Sequence, residues 1–187
     1  MRILKAAERL LRTEGIQALS TRRVASEMGV TAMAMYRHFR GKDALVQALI
    51  AAGFERWEAR LAEAVTAPEP RARIDNALRA YREFALDEPR YFELMFLLPR
   101  PGVPLAPDSL RSTPSPSFGG VIAAVQQCMA AGELAPGDPG QTILTLWALA
   151  HGLVALHFTG RFGFDASLFR RRYDESVSLL LTCLAGT

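Results

Sequence analysis

Cysteine is scarce in this chain of 187 residues, which contains only two. Cys128 and Cys183 form neither a CxxC pair nor a Cys/His cluster, so the sequence offers no support for a zinc site or a redox dithiol. We expect both thiols to be small buried apolar side chains. No cofactor and no metal are therefore predicted.

Long uninterrupted apolar segments are also missing. Charged side chains between Arg2 and Arg12 interrupt the amino-terminal segment, so it does not resemble a signal peptide. The longest apolar run, residues 143–158, is shorter than the ~20 residues that span a bilayer, and it contains two histidines. We expect a soluble, cytoplasmic protein with no membrane partner.

A catalytic constellation is missing as well. No nucleophile, base and orienting group recur at a workable spacing, and pairing His151 with Tyr81 or Cys128 would be arbitrary. An enzyme or a small-molecule carrier on a helical scaffold is the alternative to the interpretation below, and salt-dependent binding to duplex DNA would separate the two.

What the chain does have is an asymmetric charge distribution. Half of the residues are hydrophobic, which is enough for a substantial core, and the net charge is only +3. Residues 1–50 contain nine Lys and Arg against four acids, a net charge of +5, whereas residues 51–187 carry −2. This distribution is typical of a protein with one end that faces DNA.

The basic end contains a helix-turn-helix pattern. Ser20 can cap a helix over residues 21–28, and Gly29 can take the positive φ that ends it, so we expect Val30 to enter the core. Thr31 can then cap a second helix, from residue 32 to about residue 39. The first residues of that second helix are the ones that meet base edges in helix-turn-helix docking.

Polar side chains around the second helix would supply most of the contacts with DNA. A backbone phosphate is expected between the end of that helix and the next one, held by His38, Lys42 and free amides, while Phe39 points into the core. The nearest hydrogen-bond donors are Arg22, Arg23, Tyr36, Arg37, His38, Arg40 and Lys42.

The full pattern consists of the cap, the glycine turn, Tyr-x-His-Phe at residues 36–39 and a lysine three residues later. Over about the first fifty residues, this pattern resembles that of the TetR family of bacterial transcriptional regulators. By this resemblance, the positions that face bases or nearby backbone are Thr21, Arg22, Ala32, Met33 and Tyr36. Those that contact phosphates are Thr31, Arg37, His38 and Lys42. Residues 32–34 offer no polar side chain where family members often place one, so we expect Arg22 to carry more of the base readout.

The rest of the chain is predicted to be helical. Apolar spacing and capping residues predict helices over residues 43–64, 71–86, 90–98, 117–131, 139–158 and 167–184. The fold class is therefore all-α: a three-helix head joined by a long helix to an antiparallel helical domain. We assign residues 1–47 to DNA binding and residues 48–187 to ligand sensing and dimerisation. Residues 99–116 contain six prolines, which predicts a mobile loop that is either disordered or a cover over a site.

The last two helices predict self-association. Residues 139–158 are apolar almost all round, and residues 167–184 carry more apolar surface than one neighbour can cover. Two such helices from each subunit would form a four-helix interface, so we expect a homodimer, which the family resemblance also implies. The stretch WALAHGLVAL, residues 147–156, further resembles a Trp-x-x-x-His-Gly pattern in one branch of the family.

Aromatic side chains are numerous in the predicted sensing domain, and a cavity lined by aromatics is where small ligands bind. We expect an apolar or aromatic effector that tilts the long helix, changes the separation of the two heads and releases a palindromic operator. The alternatives are that these residues form a closed core with no effector and that His151 is a core histidine bonded to a carbonyl. The candidate ligand-binding residues are Trp57, Tyr81, Phe84, Phe92, Phe96, Gln126, Trp147 and His151.

Overall fold

The computed structural model describes residues 2–98 and 116–186, and all regular structure within them is helical, as predicted. A 3₁₀ turn at Ile16–Ala18 follows the first helix, and a π-helical segment at Glu93–Leu97 follows the sixth. The helices of the described residues are α1 Arg2–Glu14, α2 Thr21–Met28, α3 Ala32–Tyr36, α4 Lys42–Ala64, α5 Pro70–Asp87, α6 Pro89–Phe92, α7 Pro116–Ala130, α8 Pro139–Phe158 and α9 Ala166–Cys183.

The helix predicted over residues 90–98 is instead the short α6 followed by the π-helical segment. The other predicted helix boundaries are confirmed to within one or two residues except at α3. That helix ends at Tyr36 rather than near Phe39, because the amides of His38 and Phe39 both donate to the Met35 carbonyl at 2.9 Å and the chain turns away. The predicted loop lies outside the described residues, apart from Pro116, which begins α7.

The described residues form two compact units. The first contains residues 2–57 and 88–98, and the second contains residues 58–87 and 116–186. The predicted boundary after residue 47 concerns which residues meet DNA, and it stays a prediction.

In the first unit, apolar side chains of α1, α2, α3 and α4 form the core, and one charged cluster joins three elements. Arg56 of α4 donates to Glu8 at 3.1 Å and to Glu88 at 3.3 Å, and Arg12 donates to the same Glu88 at 2.6 Å. The Tyr91 hydroxyl donates to Glu8 at 3.0 Å. The segment that begins at Glu88 is thus bonded to both α1 and α4.

In the second unit, α5 packs against α7, α8 and α9, and it is tied to α9 by an ion-pair network that the sequence analysis did not identify. Buried Arg82 donates to Asp174 and to Glu83, and Arg170 donates to Glu83 at 2.8 Å. The Tyr173 hydroxyl donates to the Leu78 carbonyl at 2.7 Å.

The expectation for one of the two cysteines was wrong. Cys128 is buried as expected, but Cys183 is exposed because it is the last residue of α9. Helix α8 begins at Pro139, so it has 20 residues and a mean hydropathy of 1.3, enough by length and composition to cross a membrane. The core helix of a soluble protein passes the same test. Within the single chain α8 is not buried on every side, since Leu156 is 44% exposed.

Candidate DNA-binding surface and effector region

The turn between α2 and α3 is built by two caps and one glycine. The Ser20 hydroxyl accepts from the Arg23 amide at 3.0 Å, which satisfies one of the free donors at the start of α2. Gly29 adopts φ 66° and ψ 29°, a left-handed conformation that favours glycine. The amide of Val30 then donates to the Ala25 carbonyl at 3.0 Å and closes the helix end. The predicted cap and turn are confirmed.

Val30 and Phe39 do not enter the core as expected. Val30 is 40% exposed and Phe39 is half-buried, and both line a surface groove of about 570 Å³ with residues of α1 and α3. Both side chains lie along this groove, so part of their surface faces solvent instead of the core.

The outer face of α3 presents large exposed side chains. The Thr31 hydroxyl accepts from the Ala34 amide at 3.3 Å and so caps the helix. Met33 is 76% exposed and Tyr36 is 54% exposed. Thr21, by contrast, is buried at the first position of α2. The Ala32 side chain lies outside what the structure describes.

Exposed cations flank this face. Arg22, Arg37, His38 and Lys42 are all exposed, and none of them forms an ion pair within residues 2–98 and 116–186. Arg23, next to Arg22, is instead paired with Glu14 at 2.8 Å. The positive charges of Arg22, Arg37 and Lys42 are therefore not neutralised by described carboxylates.

In the second unit, three of the candidate ligand-binding side chains form a hydrogen-bonded chain. The Tyr81 hydroxyl lies 2.9 Å from Nδ1 of His151, the Trp147 side chain hydrogen-bonds to Tyr81, and the Trp147 and His151 ring centroids are 5.8 Å apart. Because an indole N–H can only donate, the Tyr81 oxygen accepts from Trp147. The tautomer of His151 decides which partner donates in the bond between Tyr81 and Nδ1. The Nδ1 atom of His151 thus has the Tyr81 hydroxyl as a partner, and whether His151 is a core histidine or a ligand-facing one stays open.

Burial governs the ionisation of Tyr81 and His151. It raises the pKa of Tyr81, an effect that the Trp147 hydrogen bond partly opposes, and it lowers the pKa of His151. Both groups are therefore held in their neutral forms at neutral pH.

The remaining candidate ligand-binding residues are divided between the units. In the second unit Phe84 is buried, with the Arg60 guanidinium 5.9 Å from its ring centroid, and Gln126 is exposed on α7. In the first unit Phe92 is buried with its ring 4.9 Å from that of Phe96, and Trp57 is half-buried on α4. The structure thus brings together Tyr81, Trp147 and His151 in one unit, and Phe92 with Phe96 in the other.

Helices are the only regular structure of residues 2–98 and 116–186, and a capped helix-turn-helix lies near the amino terminus; this combination is typical of the class of helical DNA-binding regulators. The model of bacterial regulatory proteins of the tetR family matches residues 3–49, and that of the tetracyclin repressor-like C-terminal domain matches residues 74–184. The chain therefore belongs to the TetR family of bacterial transcriptional regulators.

Individual relatives agree with this assignment. The tetracycline repressor protein class A from transposon 1721 of Escherichia coli is 38% identical over 100 residues, which are 54% of this chain and 41% of that protein. The chain thus spans less than half the length of that relative. A protein of unknown function from Rhodococcus sp. RHA1 superposes with a TM-score of 0.74 and 29% identity, over 98% of this chain and 93% of the other. A TetR family transcription regulator from Marinobacter aquaeolei VT8 shares the fold, with a TM-score of 0.71 and 14% identity, over 100% and 95% of the two chains.

Proposed function

We propose that this protein is a dimeric transcriptional regulator in the cytoplasm that represses by binding a palindromic DNA operator, and that an apolar or aromatic effector releases it. The observation that carries the proposal is the exposed face of α3 with cations around it that form no ion pair in the described part of the chain. A neutral helix surface framed by such cations suits the major groove, where apolar side chains meet bases and cations meet phosphates.

The proposed roles follow from position and exposure. Ala32 and Met33 at the start of α3 would contact thymine methyl groups, with Tyr36 one turn further along. Arg22 would read a base edge, since Arg23 is held by Glu14. Thr21 is buried, so its contribution would come from its backbone amide. The proposed phosphate contacts are Thr31, Arg37, His38 and Lys42.

Binding to a palindrome requires two heads, and the proposed dimer surface is formed by α8 and α9. Each helix carries an exposed leucine, Leu156 at 44% and Leu179 at 66%. A two-fold dimer would read half-sites separated by about 34 Å or slightly more, one turn of duplex. Light scattering at micromolar concentration tests this step, and a monodisperse monomer would contradict it.

The proposed effector region is centred on Tyr81, Trp147 and His151. The hydrogen bond with Tyr81 orients His151, and the same unit supplies Phe84 as a further aromatic candidate. With so few polar groups, effector selectivity would be broad and set by shape. An effector releases DNA only if it binds one spacing of the two heads more tightly than the other.

Selection of bound genomic fragments, followed by sequencing, would identify the operator and show whether DNA is a partner at all. Loss of affinity with rising salt would then support the DNA-binding function. A protein that binds no duplex at low salt would contradict it and favour a small-molecule-binding protein or an enzyme on the same scaffold.

Variants at the identified operator test the division of roles. Arg22→Ala should cost ~1 to 3 kcal/mol of binding free energy and relax the preference for particular base pairs. Lys42→Ala should weaken binding to all DNA sequences about equally, and it should reduce the slope of log affinity against log salt concentration by about one. Arg23→Ala is the matched control, because Arg23 is already paired with Glu14. Equal effects of Arg22→Ala and Lys42→Ala across a library of sites would contradict the assignment.

The effector proposal has its own test. Trp147→Ala should reduce the response of the protein–operator complex to candidate aromatic compounds and leave operator binding intact without them. Gln141→Ala is the control and should leave the response unchanged, because Gln141 is exposed on the same helix and is not a candidate ligand-binding residue. An unchanged response in Trp147→Ala would contradict the location of the site, and a protein that no small molecule releases would favour a DNA binder without an effector.

A further inference from the structure

The loop between α8 and α9 holds a large aromatic side chain in an unusual conformation. Phe164 is 71% exposed and has φ 58°, and it is the one described residue other than glycine with a positive φ. A left-handed conformation is unfavourable for a bulky side chain, and such residues cluster at binding and switch regions. Exposure of the ring and backbone strain therefore coincide at one position.

Local packing of the loop covers only a minor part of this side chain. Phe162 provides the aromatic contact with the body, since its ring lies 5.8 Å from that of fully buried Phe169. The Asp165 carboxylate caps α9 by accepting from the Ser167 amide at 2.8 Å. Phe164 precedes that cap, where an apolar residue often packs back onto its own helix, but its ring lies over Gly160 and stays largely exposed.

Phe164 is one of three large hydrophobic side chains that are exposed on the same pair of helices and their loop. Among the described residues of the second unit, the other large hydrophobic side chains that are exposed are Leu156 of α8 and Leu179 of α9. All three therefore lie on one helical hairpin. Leu179 is thirteen residues beyond the start of α9, about 20 Å along its axis, so exposed apolar side chains occur both at the loop and well away from it.

The charges of the same hairpin favour a second copy of this chain as the partner. Exposed Arg172 and Glu175 form an ion pair at 2.9 Å, so acidic and basic groups are interspersed on α9. A two-fold interface places the same patch on both partners, which suits a surface of mixed sign better than a surface of one sign.

We propose that Phe164 is an intersubunit anchor, by which we mean a side chain that is buried against α8 and α9 of a second copy of this chain. The inference rests on the dimer of the proposed function. It adds a specific contact residue, which lies in the loop between the two helices of the proposed interface. Two-fold symmetry places two copies of Phe164 in each dimer. A large aromatic residue on a well-bonded turn is the type of side chain that dominates binding energy at interfaces.

Substitution at Phe164 tests the anchor without straining the loop. Phe164→Asn removes the ring, and asparagine tolerates the left-handed conformation better than most residues. Sedimentation equilibrium over a dilution series should show a dimer dissociation constant at least tenfold higher than that of the original protein. Val30→Asn is the control, since Val30 is also an exposed apolar residue but belongs to the first unit, and its dissociation constant should not change. Phe164→Gly should weaken the dimer in the same way even if Phe164→Asn fails to fold.

The outcomes separate this inference from the proposed function. If the original protein is a dimer and both Phe164 variants dimerise equally well, the proposed role of Phe164 is wrong but the proposed dimer stands. A monomeric original protein would overturn the anchor and the dimer together.

Photo-crosslinking supplies a positive signal. With p-benzoyl-phenylalanine in place of Phe164, irradiation should yield a covalent dimer whose crosslink maps to α8 or α9 of the other copy. Crosslinks confined to the same chain would contradict the proposal.

Discussion

Gly53, in the part of α4 that belongs to the first unit, has no room for a side chain. A Cβ atom there would clash with Sδ of Met95 and lie 2.8 Å from Cδ1 of Tyr91. Both neighbours are fully buried, and the Tyr91 hydroxyl is bonded to Glu8 at 3.0 Å, so the ring cannot swing aside. The absence of a side chain at Gly53 therefore permits the close packing of α4 against residues 91–95.

The cost of Gly53→Ala can be worked from these contacts. Alanine gains about 1 kcal/mol over glycine in a helix interior. Overpacking of a filled core costs ~1 to 3 kcal/mol, and the upper half of that range applies because both obstructed side chains are buried. We expect a net loss of about 1 to 2 kcal/mol in the free energy of unfolding.

Urea unfolding followed by circular dichroism measures this change. Gly119→Ala is the matched control, because Gly119 lies in α7 and a Cβ atom there would have nothing within 4 Å, so this change should stabilise the protein by ~0.5 to 1 kcal/mol. If the two units unfold in separate transitions, the transition of the first unit is the one to compare for Gly53→Ala. A Gly53→Ala protein at least as stable as the original would refute the argument from close packing.

Three further changes should have measurable effects on stability. Ser20→Ala removes the cap of α2 and should cost about 1 kcal/mol in urea unfolding. Tyr173→Phe removes a buried hydrogen bond to the Leu78 carbonyl, which keeps its helical partner, and should cost about 1 kcal/mol by the same assay; a neutral result would contradict that hydrogen bond. Burial lowers the pKa of His157 below its usual 6.5, so the unfolded chain takes up a proton that the folded chain resists, and stability should fall as the pH drops below about 6.5. His157→Phe should reduce that loss between pH 7.5 and pH 5.5, and an unchanged pH dependence would exclude His157 as its source.

Local signals in the sequence predicted much of the fold. Ser20, Gly29 and Thr31 determine the caps and the turn through hydrogen bonds that span at most five residues, so the helix-turn-helix could be located from residue types alone. The end of α3 could not, because residues 37–39 carry no glycine or proline to mark it.

Long-range contacts set the limit of such predictions. Arg82 and Asp174 are 92 positions apart, and neither residue type signals that it will meet the other. Tyr81 and His151 were both selected as polar candidates, but the hydrogen bond between them spans 70 positions and is visible only in the folded chain. The burial of Val30 was predicted wrongly because it depends on the groove that Val30 lines with residues of α1 and α3.

The composition of the first unit has a consequence for the construction of hybrid regulators. Residues 88–98 belong with residues 2–57, although thirty residues of the other unit separate them along the chain. A head exchanged by a single crossover after residue 47 would leave behind Arg56 and Tyr91, and Glu8 would meet foreign side chains. A new operator specificity is therefore best transplanted as two inserts, residues 2–57 together with residues 88–98, so that the head keeps its own contacts.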